Sequence, residues 1–366
     1  MRILILANND VGLYKFRKAL IDELLKNHEV FLSLPYGKLV DPLVEAGCKF
    51  VDTPMERRGM NPAKDLKLCA KYLSILKRFR PDLVITYTIK PNIYGGFACG
   101  LMGIPYAANI TGLGTAFQGQ GMLRKLVTRM YFSALRKARV VFFENSANRD
   151  LFVEEGIITS DIACVLPGAG VDLDYFSYQE YPKNDIFHFL FVGRVMREKG
   201  IDELLDATQK LIETGEKCHL DIVGPCEEEY QTRLKKCETA GWLTYYGYQE
   251  DVRPFIRNCD CFVLPSWHEG MANTNLECAA SGRLIITSDI PGCREAVVNG
   301  VSGYLCKSKK SEDLYAVMKQ VMILSHKERK EMGISGRQRM EVFFDKKKTV
   351  KETIDRLSCN SLLQSR

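Results

Sequence analysis

The sequence lacks long apolar runs, and this absence excludes a membrane-spanning helix from the expected architecture. Apolar stretches such as Ile3–Ala7 and Leu83–Tyr87 fall far short of the ~20 residues that a transmembrane helix needs. The first ten residues become polar too early for a secretory signal, so we interpret them as a first β-strand. Hydrophobic residues make up 46% and charged residues 26% of the 366 positions, which is typical of a globular protein.

Cysteines at metal-binding or redox spacing are also missing. The thirteen cysteines form no CxxC pair, and the five histidines show no paired ligand spacing. A secreted disulfide scaffold is short and dense in cysteine, so we expect reduced thiols in a cytosolic protein. The chain also has no repeat of 20–50 residues and no low-complexity tract, which argues against a solenoid or a disordered tail.

Acidic residues are scarce in one segment of the first half. Between Arg57 and Arg139 there are fifteen lysines and arginines but only two acids, Asp65 and Asp82. This segment is either a solvated basic surface or a face that meets phosphate, on nucleic acid or on a membrane. Residues 124–137 mix apolar and basic side chains at helical spacing, which suits an interfacial helix or a helix packed on the core.

Apolar strand patterns alternate with helical patterns in two successive series, which predicts an α/β protein with two doubly wound parallel sheets. We expect domains over 1–168 and 186–345, a linker over 169–185, and a C-terminal helix and tail over 346–366 that packs back on the first domain. The predicted strands are Arg2–Ala7, Glu29–Leu34, Leu83–Thr86, Tyr106–Ile110, Val140–Phe143, Ile162–Leu166, Phe187–Val192, Leu220–Val223, Cys261–Leu264, Leu284–Thr287 and Tyr304–Cys306.

Ligands of open α/β sheets bind at the carboxyl ends of the strands, so the loops that follow strands are the candidate sites. In the first loop, Gly12 permits close backbone approach to an anion, or it simply forms a turn. The loop contains no GxGxxG pattern, which argues against a dinucleotide site. After the strand that ends at Val192, Gly193 is followed by Arg194 and Lys199, two cations that together can hold a diphosphate.

The loop after the strand that ends at Leu264 carries two acids, Glu269 and Glu277. Glu269 precedes a predicted helix, and Glu277 lies in its second turn, about 7 Å further along at ~1.5 Å per residue. At the start of this helix we expect free backbone N–H groups that form an anion cradle, at Gly270, Met271 and Ala272. Alternatively, one of the two acids only caps the helix and the other is exposed to solvent. The presence of Arg194 and Lys199 after a neighbouring strand weakens this alternative.

Taken together, these motifs resemble the retaining family 4 glycosyltransferases. Glu269 and Glu277 match the family's E-x7-E motif, and the stretch from Gly193 to Gly200 is similar to its diphosphate loop. Residues 170–176 resemble the interdomain linker, and residues 291–303 resemble the loop after the next strand. The resemblance implies the GT-B fold, in which two Rossmann-like domains face each other across a cleft.

The resemblance also implies roles for individual residues. Arg194 and Lys199 would bind the donor diphosphate, Glu277 the donor ribose, and Glu269 the donor sugar at its reacting carbon. Backbone contacts to the donor would come from Gly12, Gly193, Gly270, Met271, Ala272 and Asn273. Such a site needs no metal or other cofactor, and we assign the D-x-D pattern at Asp172 and Asp174 to the linker.

The segments at 87–92 and 109–114 resemble enzymes that extend undecaprenyl-diphosphate-linked sugars, such as bacterial N-acetylgalactosaminyltransferases. This similarity implies a lipid-linked saccharide acceptor and a cytoplasmic protein held peripherally at the inner membrane, with no nucleic-acid partner. The expected acceptor or membrane face comprises Lys90, Asn109, Thr111, Arg124, Lys125 and Arg129. Many family members have histidines at two places in the first domain, but the corresponding stretches here, residues 109–112 and 86–88, contain none. After the Glu269-Gly270 pair, where the family typically has an aromatic residue, this sequence has Met271.

We therefore expect a retaining transferase that moves a hexose or N-acetylhexosamine from a nucleotide sugar, most simply a UDP-sugar, to a polyprenyl-diphosphate-linked saccharide. Three alternatives stay open at this point. A sugar-nucleotide epimerase or hydrolase would use the same diphosphate site without a lipid. A glycogen-synthase-like enzyme would share the motif, although the basic first domain favours a lipid acceptor. A nucleic-acid-binding protein would account for the charge but not for the two acids and two cations.

Overall fold

A computed structural model of the chain describes residues 1–56, 61–114, 117, 121–359 and 362–363. The chain forms two compact units. Unit 1 comprises Met1–Ala169 together with Lys346–Arg366, and unit 2 comprises Gly170–Asp345. In the described part of the chain, no helix combines the length and the hydropathy that crossing a bilayer requires.

Unit 1 is built on a parallel sheet of seven strands in the order β3-β2-β1-β4-β5-β6-β7. The order reverses between β1 and β4, which pair directly with each other. Because both faces of the sheet are covered, its central strands β4 and β5 are buried along their whole length, and their buried polar residues are Thr86 and Asn109. The strands are β1 (Arg2–Leu6), β2 (Glu29–Leu34), β3 (Lys49–Asp52), β4 (Leu83–Tyr87), β5 (Tyr106–Ile110), β6 (Val140–Phe143) and β7 (Ala163–Val165).

The helices of unit 1 bury apolar stripes against the two faces of this sheet. Helix α3 is typical: Asn61 caps its first turn through the amides of Ala63 and Lys64, and Leu68, Tyr72 and other residues at helical spacing are buried. The helices are α1 (Lys18–Leu25), α2 (Asp41–Glu45), α3 (Pro62–Phe79), α4 (Gly96–Met102), α5 (Met122–Leu135) and α6 (Ser146–Glu154).

Unit 2 repeats the architecture with six parallel strands in the order β10-β9-β8-β11-β12-β13. The order reverses between β8 and β11. The strands are β8 (Phe187–Val192), β9 (Cys218–Val223), β10 (Leu243–Tyr245), β11 (Cys261–Leu264), β12 (Leu284–Ser288) and β13 (Gly303–Cys306). The helices are α7 (Ile201–Glu213), α8 (Gln231–Thr239), α9 (Arg253–Asn258), α10 (Asn273–Ala280), α11 (Ser311–Ile323) and α12 (His326–Phe343).

The C-terminal segment from Ser311 to Cys359 consists of three helices separated by two breaks. A capping box of Ser325 and Glu328 begins α12, and the chain turns again at Phe344 before α13 (Lys346–Cys359). Helix α13 lies against α1, and its Leu357 is fully buried in the core of unit 1. The polypeptide therefore returns to unit 1 after completing unit 2.

The segment between Gly170 and Asp185 packs on unit 2. Its attachment depends on Arg283, a fully buried side chain next to β12. The guanidinium donates to main-chain carbonyls of Gln179 and Glu180 in the segment, at 3.1 and 2.9 Å, and to those of Ile256, Arg257 and Gly282. Five N–H donors in a rigid fork suit a site lined only by carbonyl oxygens, which a lysine would not satisfy.

Candidate functional site

The carboxyl ends of β8 and β11 are the expected ligand position in unit 2, because the strand order reverses between them. The loop after β8 carries Gly193, Arg194 and Lys199, and the loop after β11 carries Glu269. A third loop, which follows β12, contains Gly292. These three loops lie together at one edge of the sheet because all the strands run in parallel.

An ion pair joins the first two loops: Lys199 Nζ contacts Glu269 Oε1. Glu269 also accepts a hydrogen bond from Ser266 Oγ at 2.8 Å. The side chains of Lys199 and Glu269 are only 22% and 12% exposed, so water screens the pair weakly. The contact fixes both side chains at the mouth of the strand ends, where an anionic ligand would compete with Glu269 for the ammonium group.

Two glycines bring the loops closer together than any other residue would allow. Gly200 has φ +73°, and a Cβ there would overlap the main-chain carbonyl of Pro265. Gly292 has φ +85°, and a Cβ there would lie 2.6 Å from the Gly270 carbonyl oxygen. Glu295 fixes this second turn by accepting the Gly292 N–H at 2.8 Å, and burial raises the pKa of its carboxyl group. The site therefore depends on backbone-to-backbone contact between loops.

The start of α10 differs from the expected anion cradle in one respect. The Ala272 amide donates to the Gly292 carbonyl at 2.8 Å, so the prediction of a free N–H there is wrong. Met271 is buried beside it. Asn273, the first residue of α10, has a buried Oδ1 atom with no hydrogen-bond partner. Glu277 lies half-buried in the second turn of the helix.

Trp267 and the two cations that lie over its ring belong to this edge of the sheet, although the sequence motifs did not predict them. Trp267 donates from Nε1 to Glu203 at 3.1 Å, and its main-chain N–H donates to the Glu198 carbonyl. Arg197 and Lys309 lie over its ring at 5.3 and 4.6 Å. The preceding Ser266 stands three residues before Glu269, a spacing typical of turns closed by a side chain, and could have been read from the sequence.

His268, adjacent to Glu269, is half-buried, and the loss of hydration lowers the pKa of its imidazole despite the nearby carboxylate. Its neutral form is therefore favoured at physiological pH. The D-x-D pattern of the linker serves the backbone: Asp172 Oδ1 accepts the amides of Asp174 and Tyr175 at 3.1 and 3.0 Å. This geometry is an Asx turn.

In unit 1, Gly12 lies at the start of a π-helical segment over Gly12–Arg17 that continues directly into α1, and its amide donates to Asn9 Oδ1 at 2.7 Å. A ligand approaching this amide would have to displace Asn9. The residues expected to form one acceptor or membrane face divide among three environments. Lys90 and Thr111 line a cavity beside β4 and β5. Asn109 is buried and donates to the Thr86 carbonyl, so its assignment to a face is wrong.

Arg124, Lys125 and Arg129, the remaining three, lie on α5. Arg124 forms an ion pair with Glu155, whereas Lys125 and Arg129 are exposed. The same helix exposes large apolar side chains, including Met122 at 88%, while Val127 and Tyr131 pack on the core. Helix α5 therefore has one apolar face toward the core and a second, mixed apolar and basic face toward solvent.

Both units of the chain match family models of known glycosyl transferases. Residues 177–339 match the family model of glycosyl transferases group 1, and residues 19–168 match a glycosyl transferase 4-like domain. The chain belongs to the glycosyltransferases. It is 29% identical over 332 residues to N,N'-diacetylbacillosaminyl-diphospho-undecaprenol alpha-1,3-N-acetylgalactosaminyltransferase of Campylobacter jejuni, covering 86% of this chain and 87% of that protein.

Two further proteins extend the comparison. The transferase is 29% identical over 312 residues to UDP-Gal:alpha-D-GlcNAc-diphosphoundecaprenol alpha-1,3-galactosyltransferase of Escherichia coli, covering 77% of this chain and 78% of that one. The crystal structure of Anabaena Alr3699/HepE in complex with UDP superposes with a TM-score of 0.79, at 17% identity, over 98% of this chain and 100% of that chain. The GT-B fold expected from the motifs is confirmed.

Replacing Gly200 by alanine tests whether close loop contact holds the site together. Gly215 is the matched control, because it has φ +86° but open space around a new Cβ. Gly215→Ala should cost only the ~1–2 kcal/mol of a left-handed backbone. Gly200→Ala should cost a further ~1–3 kcal/mol or more, because its methyl group overlaps Pro265.

Urea unfolding followed by tryptophan fluorescence measures this difference, since both tryptophans of the chain, Trp242 and Trp267, lie in unit 2. Equal losses of unfolding free energy in the two variants would contradict the close-contact argument.

Proposed function

We propose that the transferase moves a sugar from a nucleoside diphosphate sugar to a saccharide carried on a polyprenyl diphosphate. The transferred sugar keeps the configuration of its anomeric carbon. The observation that carries the proposal is the Lys199–Glu269 pair at the point where the strand order of unit 2 reverses. The donor would bind at this edge, with Arg194 and Lys199 on the diphosphate. The UDP complex of the structurally similar protein supports a UDP-linked donor.

The chemistry follows from the charges that develop. When the bond between the anomeric carbon and the diphosphate oxygen breaks, negative charge grows on the diphosphate and positive charge on the sugar ring. Lys199, Arg194 and the N-terminal end of α10 stabilise the leaving group electrostatically. A donor diphosphate draws Lys199 from Glu269, so the carboxylate is left facing the developing positive charge. The acceptor oxygen bonds to the same face of the carbon and passes its proton to the departing phosphate.

One feature of the α10 region supports binding of the donor's ribose. Glu277 stands in the second turn of α10, where the family resemblance assigns it to the ribose. The acceptor class is supported by both relatives, whose names specify saccharides on diphosphoundecaprenol and alpha-1,3 linkages.

Removing the cations should therefore impair turnover more than it impairs folding. Lys199→Ala and Arg194→Ala should each lower kcat/KM by about 10²–10³-fold, the loss of one transition-state donor. Glu277→Ala should mainly raise the donor dissociation constant. Arg197→Ala is the matched control, because Arg197 is an exposed cation of the same loop that stacks on Trp267.

The assay combines UDP- and GDP-sugars with the two acceptors named for the relatives, and mass spectrometry detects the lipid extended by one sugar. Wild-type protein that consumes the donor at the same rate without any acceptor would indicate an epimerase or hydrolase instead. Near-wild-type turnover of Lys199→Ala would remove the residue from the mechanism.

We propose further that the exposed face of α5 holds the transferase at the membrane surface that carries its acceptor. This face, called the α5 surface, comprises Met122, Leu123, Lys125, Leu126, Arg129, Phe132 and Arg136. On the adjoining α4, Leu101 is 77% exposed, and Lys137 Nζ donates to the neighbouring Gly100 carbonyl at 2.7 Å. Exposed apolar side chains among basic ones are typical of helices that lie in the headgroup layer of anionic bilayers.

Removal of positive charge from the α5 surface should release the protein from vesicles. Replacing Lys125, Arg129 and Arg136 by alanine removes about 1 kcal/mol per basic residue near an anionic surface, or roughly a 100-fold weaker partition in total. Replacing Phe132 by serine should weaken it further. Flotation with phosphatidylglycerol vesicles measures the bound fraction.

The matched control replaces Ile323 and Lys327, an exposed apolar residue and an exposed cation on the helices of unit 2. Its flotation should equal that of the wild type. If the α5 variant floats as well as this control, the α5 surface is not the membrane contact.

A further inference from the structure

The half-buried carboxylate of Glu295, in the loop that follows β12, is directed at the main chain rather than at a cation. Its Oε2 atom accepts the Gly292 N–H at 2.8 Å, and within the described part of the chain it forms no salt bridge. A carboxylate that is partly withdrawn from water needs such a hydrogen bond, because its charge is otherwise costly to bury. What the contact does for the protein depends on Gly292.

The main chain of Gly292 touches the loop that carries Glu269. Its N–H donates to Glu295, and its carbonyl accepts the N–H of Ala272, the residue directly before α10, at 2.8 Å. A Cβ at Gly292 would lie 2.7 Å from the Glu269 carbonyl oxygen, so the two backbones are in contact there. The Gly292 turn therefore supports residues 269–272, from the candidate catalytic acid to the start of the helix.

A cation of α12 holds the main chain of Glu295. Arg339 donates to the Glu295 carbonyl from both Nε and Nη2, at 2.9 and 2.7 Å, and its guanidinium lies over the rings of Phe343 and Phe344. Two donors of a rigid plane on one oxygen fix a direction as well as a distance, which an ammonium group on a flexible stem does not. Glu295 is thus tied to α12 by its carbonyl and to the Gly292 turn by its side chain.

Glu295 also lies within electrostatic reach of the Lys199–Glu269 pair. Burial raises the pKa of the neighbouring Cys293 thiol, and the charges of Glu269, Lys199 and Glu295 all act on this one group. The loop after β12 is therefore close enough to the ion pair for a shift of the Gly292 turn to displace Glu269.

We propose that Glu295 is a positioning residue of the transfer reaction. Acting through Gly292, it holds Glu269 and the start of α10 at the distance from the donor sugar that the transition state requires, and Arg339 secures Glu295 in turn. The inference rests on the proposed function, which places Glu269 beside the reacting carbon. A misplacement of about 1 Å can lower a rate ~10²-fold, so the loss of this support should act on kcat.

Glu295→Ala removes the acceptor of the Gly292 N–H. Its kcat should fall at least about tenfold, while the dissociation constant for UDP, measured by titration calorimetry, should stay within about twofold of the wild type. The diphosphate cations, Arg194 and Lys199, belong to the loop after β8, which Glu295 does not support. Glu295→Gln keeps an acceptor oxygen of the same reach and should restore most of the lost kcat.

Glu328→Ala is the matched control, because it removes the same kind of hydrogen bond elsewhere in unit 2. Glu328 accepts the Ser325 N–H at 2.7 Å, three residues before it, with the spacing that joins Glu295 to Gly292. This contact lies at the start of α12, whereas Arg339 lies in the second half of the helix. The control should therefore keep the wild-type kcat.

Amide hydrogen exchange tests the support of α10 without turnover. In Glu295→Ala the Gly292 turn loosens, so the Ala272 N–H, which bonds to the Gly292 carbonyl, should exchange at least about tenfold faster than in the wild type. Its exchange rate should be unchanged in Glu295→Gln and in Glu328→Ala.

Arg339→Ala tests whether α12 acts through Glu295. This variant should lower kcat as well, and combining it with Glu295→Ala should lower kcat no further than Glu295→Ala does alone, because both residues act on the same turn. Losses that multiply would show that the two residues act separately, against the proposal.

The assignment of Glu295 would be overturned by a Glu295→Ala variant with the kcat of the Glu328→Ala control, or by one whose UDP dissociation constant rises as much as its kcat falls. Wild-type protein that transfers no sugar to either acceptor would instead defeat the proposed function. In that case the exchange rate of Ala272 would still report whether Glu295 holds the turn.

Discussion

The contact between Lys199 and Glu269 is the interaction on which the proposed donor site depends. It joins the loops after β8 and β11, the two strands between which the sheet of unit 2 reverses its order. Lys199 is paired with Glu269 and is only 22% exposed, so its ammonium group is held where a stronger anion could take it over. Ser266, which also bonds Glu269, keeps the carboxylate in position when the lysine turns to a ligand. In the proposed mechanism, the pair therefore couples the arrival of a diphosphate to the exposure of a carboxylate.

Glycine makes this pairing possible. Gly200 and Gly292 carry positive φ angles and allow backbones from different loops to touch, and Glu295 secures the second of these turns. In unit 1, a residue other than glycine has a positive φ angle at the point where the strand order reverses. There Thr88 occupies a backbone region that glycine would fill without strain, and a network of Thr86, Asn92 and Asn109 holds it in place. Glycines thus allow close backbone contact in unit 2, whereas a buried hydrogen-bond network holds a strained threonine in unit 1.

Much of the fold could be predicted because buried parallel strands are nearly continuous apolar runs. The bounds of β2, β5, β6, β8 and β11 match the predicted ones. Strands β3 and β10 were missed because they lie at sheet edges, are only three or four residues long, and are partly exposed. Parallel strand ends also predicted that Lys199 and the Glu269 loop share an edge.

What escaped prediction depends on contacts between residues distant in sequence. The Ala272 amide was expected to be free, but Gly292, twenty residues later, supplies its acceptor. Asn109 was expected on a face, yet its amide satisfies the carbonyl of Thr86 inside the unit. Neither partner can be read from local spacing, because each arises from how neighbouring strand ends pack. The strain at Thr88 is likewise invisible in a sequence that reads as an ordinary strand end.

We propose that the positive charge at the carboxyl edge of the sheet in unit 2 recognises a diphosphate. Isothermal titration of UDP against UMP tests it most directly, because the two ligands share the base and ribose and differ by one phosphate. A charge-assisted contact worth ~1.5–3 kcal/mol predicts that UDP binds at least about tenfold more tightly than UMP. The advantage should shrink as salt is added. Equal affinity for the two nucleotides, at low and high salt alike, would contradict the claim.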